Sequence, residues 1–424
     1  MSNNGNLRAA RASMNIVIVG HVDHGKSTLV GRLFYDTGSL PEGRYESVAR
    51  VCEETGKPFE YAFLLDALEE ERDQGVTIDT AQAKFHTAGR DYVLIDAPGH
   101  KEFLKNMVSG AASAEAALLL IDAAEGVQEQ SRRHGYLLHL LGIRQVVVVI
   151  NKMDLVDFSP EVYDRVQQEY LVFLDELGVH PQAFIPIAAR EGDNIVARSA
   201  RMPWYDGPTI VEALDAFAVR PSREHLPLRF PVQDVYKFDH RRIIAGRIEA
   251  GQLAEGDAIV FSPSGHRGVV KTIERWSSPR SGPAEAGESV GITLTEQLFV
   301  ERGEVISHIE RTPHTGEEIQ ANLFWLGDRH LAPGRPYVLK LATQEIPCRV
   351  ARIAGVVDPS TLAASEQREV AKNEVATLTL SLQRPIAYDV FTDIVETGRF
   401  VLVDGFDVAG GGIVLPPVED NYMI

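Results

Sequence analysis

From Asn15 to about Phe217, short apolar runs alternate with longer stretches in which apolar residues recur every three or four positions. The short runs predict strands over Asn15–Gly20, Tyr92–Asp96, Ala117–Asp122, Gln145–Asn151 and Phe184–Ala188. The amphipathic stretches predict helices over Lys26–Phe34, Lys101–Ala112, Gln130–Leu141, Pro160–Leu177 and Thr209–Phe217. Wholly apolar strands alternating with such helices imply βα units and a mostly parallel sheet covered on both faces. Tyr35 to Thr80 breaks the rhythm: it is long, carries a charged helical piece at Leu68–Asp73, and stands where a short connection is expected. Connections of that length are usually functional.

The pattern changes after about Pro221. Residues 221–230 (P-S-R-E-H-L-P-L-R-F) read as a linker. Short alternating segments with glycine-containing turns follow at Arg247–Ala250, Ala258–Phe261, Val269–Ile273 and Glu288–Leu294. A second series includes Tyr337–Leu341, Arg349–Ile353, Val375–Leu382 and Arg399–Leu402. Many short strands with few helices imply antiparallel β-barrels. The expected organisation is a disordered segment 1–14, an α/β domain 15–220, one barrel over 221–311 and a second over 312–424, ending in a short tail.

Charge narrows the partners. Acidic residues number 60 against 42 basic ones, a net charge of −18, so phosphate backbones are repelled unless basic residues cluster, and nucleic acid is disfavoured. The short run His240-Arg241-Arg242 reads as a solvated turn rather than an RNA site. The two cysteines, Cys52 and Cys348, form neither a metal pattern nor a disulfide framework, which fits a reducing compartment. The apolar runs are strand-length, too short to span a bilayer, and no signal peptide is read. A cytoplasmic protein without membrane contact is expected.

Three motifs carry chemistry. Gly20-His21-Val22-Asp23-His24-Gly25-Lys26-Ser27 fits G-x-x-x-x-G-K-[ST] between a strand and a helix, the context that lets backbone N–H groups and a helix N-terminus cradle phosphates. Lys26 would reach the β- and γ-phosphates and the Ser27 hydroxyl would ligate Mg²⁺. Asp96-Ala97-Pro98-Gly99-His100 ends a strand, placing Asp96 to hold Mg²⁺ through water and the Gly99 N–H to sense the γ-phosphate. Asn151-Lys152-Met153-Asp154 selects the base. The Asp154 carboxylate can accept from both guanine N1–H and its 2-amino group, a pair adenine lacks, and a site built on polar pairing rejects the analogue without it. Asn151 would contact N7 and brace the loop, and the Lys152 stem would cover the base. Together the three imply GTP/GDP with Mg²⁺. Thr77, at the end of the irregular stretch, is the third magnesium-ligand candidate beside Ser27 and Asp96, and Ala188, Ala189 and Arg190 would present a backbone N–H to guanine O6. Thr28 completes the phosphate-loop set. His100, beside Gly99, is the candidate for orienting the attacking water, with Lys26, Thr77 and Asp23 in the same catalytic set.

These residues resemble the translation-factor class of GTPases: G-H-V-D-H-G-K-S-T-L, E-R-D-Q-G-V-T-I, D-A-P-G-H-K-E-F-L-K-N-M and N-K-M-D-L-V. The resemblance implies an α/β P-loop GTPase domain followed by two antiparallel β-barrels, His100 as the catalytic histidine, and Val22 and Val76 as apolar gate positions beside the attacking water. Within the class, residues 63–72, 130–142 and 191–208, with 230–233, 332–337, 397–404 and 410–413, are similar to the large GTPase subunit of bacterial sulfate adenylyltransferase (ATP sulfurylase). That likeness implies a smaller catalytic partner subunit making adenosine 5′-phosphosulfate from ATP and sulfate, driven by GTP hydrolysis here. His21, His24, Ala97 and 101–103 look more like elongation factors, and Ala188 stands where the class has serine. Two other readings stay open: an elongation factor carrying aminoacyl-tRNA, and a GTP-dependent regulatory or assembly factor.

Overall fold

A computed structural model describes residues 13–56, 58–64, 82–95, 114–219, 223–238, 241–275 and 282–417. Two compact units divide the chain, Met1–Arg220 and Pro221–Ile424.

The first unit is built on six strands: β1 (Ser13–Gly20), β2 (Gln82–His86), β3 (Asp91–Ile95), β4 (Ala116–Asp122), β5 (Gln145–Asn151) and β6 (Ala183–Pro186). They lie in the order β2-β3-β1-β4-β5-β6; β2 is antiparallel to β3 and every other pairing is parallel. All seven residues of β4 are buried, and six of the seven of β5, because helices cover both faces and neither strand has a solvent side to alternate with. The helices among the described residues are α1 (Lys26–Asp36), α2 (Arg44–Thr55), α3 (Glu129–Leu140), α4 (Pro160–Glu176) and α5 (Ile210–Ala216). Local chemistry fixes their ends. Ser159 caps α4 by accepting from the Val162 N–H at 3.3 Å, with Pro160 in the first turn, and Thr209 and Glu212 form a reciprocal capping box on α5. The core packs Ile16, Ile18, Leu29, Leu33, Leu118 and Leu120 with Tyr92 and Phe217.

Two of these elements were not expected. The helix α2 lies inside the stretch read as irregular, and the edge strand β2 follows it. The helix is framed by Gly43 and Gly56, both left-handed, and only Val48 and Cys52 are buried, so its apolar stripe is thin. The expected helices at 68–73 and 101–112 lie outside the described residues.

The second unit is antiparallel throughout. Its strands are β7 (Phe230–Phe238), β8 (Arg241–Arg247), β9 (Gln252–Leu253), β10 (Ala258–Ser262), β11 (Arg267–Glu274), β12 (Ala284–Glu285), β13 (Ser289–Leu294), β14 (Val305–His308), β15 (His314–Trp325), β16 (Pro336–Leu341), β17 (Gln344–Val357), β18 (Ala364–Ser365), β19 (Val375–Tyr388), β20 (Arg399–Asp404) and β21 (Asp407–Val414). Strands β10-β11-β13-β8-β7-β14 form a closed barrel. The order β16-β20-β21-β15-β19-β17-β18, with the further pairing of β16 to β17, returns the second sheet on itself. Closure removes exposed edges. Joining the two sheets is the buried Arg229, whose Nε and Nη2 donate to Asp389 Oδ2 and Oδ1 at 2.7 and 2.8 Å while Nη1 donates to the Leu228 and Arg311 carbonyls. No helix among the described residues is long and apolar enough to cross a membrane.

Candidate nucleotide site

The C-terminal ends of β1, β5 and β6 converge on one edge of the sheet. The chain runs from β1 through α1 to one side and returns through β4 on the other, and open α/β sheets bind ligands at such a reversal. The turn after β1 enters α1 through Gly25, whose φ of 87° is left-handed. A side chain there would also collide with the Asn151 amide, so both backbone strain and space require glycine.

Asn151 holds the edge together. It is buried; its Nδ2 donates to the His24 carbonyl at 2.9 Å and its Oδ1 accepts from the Ala189 N–H at 3.0 Å. One side chain therefore ties the loop after β1 to the loop after β6. Backbone bonds add to it: the Met153 N–H donates to the Ile187 carbonyl at 3.1 Å and the Ile187 N–H to the Ile150 carbonyl at 2.8 Å. The Ala189 N–H is committed to the Asn151 side chain. Ala188 is fully buried, and its carbonyl accepts from the Gly192 N–H at 2.9 Å, closing the loop.

Lys26 folds over the phosphate loop, its Nζ donating to the Gly20 and His21 carbonyls at 2.7 Å each. Burial pulls its pKa down to about 8, against the opposing pull of Asp23. Lys152 has a left-handed backbone (φ 62°) and its Nζ meets the buried Asp122 carboxylate at 2.7 Å. That contact fixes the lysine stem along the ends of β4 and β5. Asp122 Oδ1 also accepts from the Ala124 and Glu125 N–H groups at 2.8 and 3.3 Å, so the carboxylate is satisfied in its buried setting. Asp154 lies half-buried in the short 3₁₀ turn Met153–Val156.

The His24 side chain points into the fold, with Nδ1 3.2 Å from the Leu120 carbonyl and Nε2 3.2 Å from Glu125 Oε2, and burial lowers its pKa. Only its backbone carbonyl takes part at the edge, through Asn151. Val22 is 45% exposed, and Ser27 is exposed at the start of α1. Asp96, Ala97, Pro98, Gly99 and His100, with Thr77 and Val76, lie outside the described residues. Among the described residues no cluster of three or more His, Cys, Asp or Glu could hold a metal. Of the three magnesium-ligand candidates, Ser27 alone is described; it is exposed beside Lys26, and a hydroxyl is the kind of hard oxygen donor that Mg²⁺ takes.

Several contributors escaped the sequence reading. Asp122 and Glu125 anchor Lys152 and His24. Trp204 Nε1 donates to the Phe158 carbonyl at 3.0 Å, where Asp157 and Phe158 both have positive φ, so it supports the turn after Asp154. Arg32 Nη1 donates to the Arg190 carbonyl at 3.0 Å. The pairing of Asp122 with Asn151 across β4 and β5 follows from register, which no motif spells out.

The Elongation factor Tu GTP binding domain family matches residues 11–220, and the GTP-eEF1A C-terminal domain-like family matches residues 318–415. Sulfate adenylyltransferase subunit 1 of Laribacter hongkongensis is 37% identical over 409 residues, covering 95% of this chain and 85% of that protein. The chain belongs to the translation-factor class of GTPases. Within that class, elongation factor 1-alpha of Pyrococcus horikoshii is also 37% identical, over 417 residues, with 95% of this chain and 97% of that protein covered. The Bifunctional enzyme NodQ of Rhizobium meliloti is 37% identical over 415 residues; 96% of this chain is covered, and the chain spans 65% of NodQ. A solved structure of sup35 complexed with GDP superposes with a TM-score of 0.45 at 25% identity, covering 99% of this chain and 98% of that one.

Proposed function

We propose that this chain binds GTP and hydrolyses it, and that it serves as the GTPase subunit of a sulfate adenylyltransferase. The observation that carries the nucleotide reading is the Asn151 bridge, which holds a phosphate loop and a base loop in one frame. Lys26 neutralises charge on the transferring phosphoryl group, its Nζ already held over the phosphate loop by the Gly20 and His21 carbonyls. Asp154 accepts from the guanine N1–H and 2-amino groups. His100 orients the attacking water. Ser27, Thr77 and Asp96 hold the magnesium ion, which supplies charge neutralisation at the β- and γ-phosphates. Release of the γ-phosphate then loosens the Thr77 and Gly99 segments, coupling hydrolysis to a change of shape. The proposed domains are 15–220 for GTP and the barrels 221–311 and 312–424.

The sulfate assignment rests on relatives named Sulfate adenylyltransferase subunit 1, 37% identical in Laribacter hongkongensis and 38% in Chromobacterium violaceum. On this reading a smaller subunit, in the cytoplasm, forms adenosine 5′-phosphosulfate from ATP and sulfate. The second reading, a carrier of aminoacyl-tRNA, is favoured by the equal identity of the Pyrococcus horikoshii elongation factor 1-alpha. The net charge of −18 weighs against it. GTP hydrolysis by the purified chain, measured with and without the small sulfurylase subunit of the same genome plus ATP and sulfate, separates them. Faster hydrolysis with GTP-dependent adenylylsulfate supports the first reading. Stimulation by charged tRNA instead would overturn it.

A further inference from the structure

One residue along the base loop from the Asn151 contact, a side chain of α1 reaches three segments. Arg32 Nε donates to both oxygens of Asp36, at 2.9 and 2.8 Å, one turn along the same helix. Its Nη1 donates to the Arg190 carbonyl at 3.0 Å. The guanidinium carbon lies over the Tyr61 ring, 4.8 Å from the centroid. Space is tailored to this arrangement on both sides. Gly192, left-handed at φ 86°, passes so close that any side chain would strike the Arg32 guanidinium. At Gly31 a side chain would overlap the Tyr61 carbonyl, so the segment 58–64 sits directly on the α1 backbone. Tyr61 is itself held among rings, 5.6 Å from Tyr35 and 5.2 Å from Phe59.

We propose that Arg32 is a positioning residue that joins the base loop 188–193 to the segment 58–64, so that the packing of that segment sets the affinity for the guanine base. The inference rests on the guanine-nucleotide reading of the site. Its physical basis is the planar fork of arginine, which can pair with a carboxylate, donate to a carbonyl and stack on a ring at once; no other side chain does all three. The base loop is then gripped from two directions, by Asn151 through the Ala189 N–H and by Arg32 through the Arg190 carbonyl. A shift of Tyr61 moves the guanidinium, and the guanidinium moves the loop.

The test uses the full chain and a double-mutant cycle of Arg32→Ala and Tyr61→Ala, read by GDP affinity and by hydrogen exchange at the amides of 188–193. Arg32→Ala is expected to weaken GDP about tenfold and Tyr61→Ala about threefold, with the double variant no weaker than Arg32→Ala alone. Both single variants should speed exchange at 188–193 while α4 keeps the parent's protection. Multiplying effects in the cycle, or unchanged exchange at those amides, would overturn the proposal. If Arg32→Ala does not fold, exchange in Tyr61→Ala decides by itself. If the parent does not bind GDP, the nucleotide reading falls, and the exchange arm still judges the coupling.

Discussion

Replacing Asn151 with alanine removes one side chain and strands two main-chain groups. The His24 carbonyl loses a donor at 2.9 Å and the Ala189 N–H loses an acceptor at 3.0 Å, both against a residue that is 1% exposed. Leaving a buried polar group unsatisfied costs roughly 1–3 kcal/mol, so the two together cost roughly 2–6 kcal/mol. That cost falls on the ordering of the phosphate and base loops, which a bound nucleotide needs together. Even the lower bound corresponds to a loss of about 30-fold in affinity, since about 1.4 kcal/mol is a factor of ten. Asn151→Asp is the companion variant. It keeps an acceptor for Ala189 but turns an oxygen toward the His24 carbonyl, so one bond survives and the other becomes a repulsion. Calorimetric titration with GDP, alongside thermal unfolding of the protein without nucleotide, reads both effects. The expectation is a Kd for Asn151→Ala weaker by about 30-fold or more. GDP binding within threefold of the parent at an unchanged Tm would refute the bridging argument.

Asp154→Asn replaces an acceptor of two hydrogen bonds with an amide that donates, so GDP binding should fall by at least about 100-fold while xanthosine diphosphate, which carries an oxygen at position 2, gains; competition titrations with the two nucleotides check this. Lys26 has its pKa lowered by burial to about 8, so it is about half deprotonated at that pH and must regain its proton to meet phosphate. Nucleotide binding should therefore weaken as pH rises through 8, with about half a proton taken up at pH 8 and almost none at pH 6.5, measurable by titration in buffers of different ionisation enthalpy. The sign for folding is opposite: the unfolded lysine holds its proton more tightly, so this group alone favours the folded state more as pH climbs past 8. In the second unit, Asp389→Ala leaves the buried Arg229 charge without its carboxylate, at a cost of roughly 3–5 kcal/mol, so chemical denaturation should show the second unit unfolding at markedly lower denaturant.

Legibility in the sequence followed burial. Strands β4 and β5 are apolar along nearly their whole length because both faces are covered, and the sequence reading placed them within a residue of their observed ends. Helix α2 escaped because only Val48 and Cys52 are buried, too few to stand out as a 3.6-residue period among charged neighbours. The strand β15 begins with polar, exposed residues (His314 to Glu318, with Gly316 partly covered) and only later alternates, so its first half carried no signal. In β19 the reading stopped at Leu382, short of Pro385, whereas the chain continues to Tyr388 by shifting register opposite Gly316 and Glu318. At the site, the motif residues announced themselves through spacing. The residues that hold them, Asp122, Arg32 and Trp204, did not, because their roles arise from register and long-range packing. The inward turn of His24 was equally hidden; spacing alone says nothing of which way a loop side chain faces.

Equilibrium binding of GDP and ADP to the purified chain, followed by GTP turnover with magnesium, tests the central claim most directly. A guanine site framed by Asn151 and Asp154 predicts GDP bound at least about 1000-fold more tightly than ADP, and slow GTP hydrolysis abolished by Lys26→Ala. Equal affinity for the two nucleotides, or hydrolysis that survives Lys26→Ala, would contradict it.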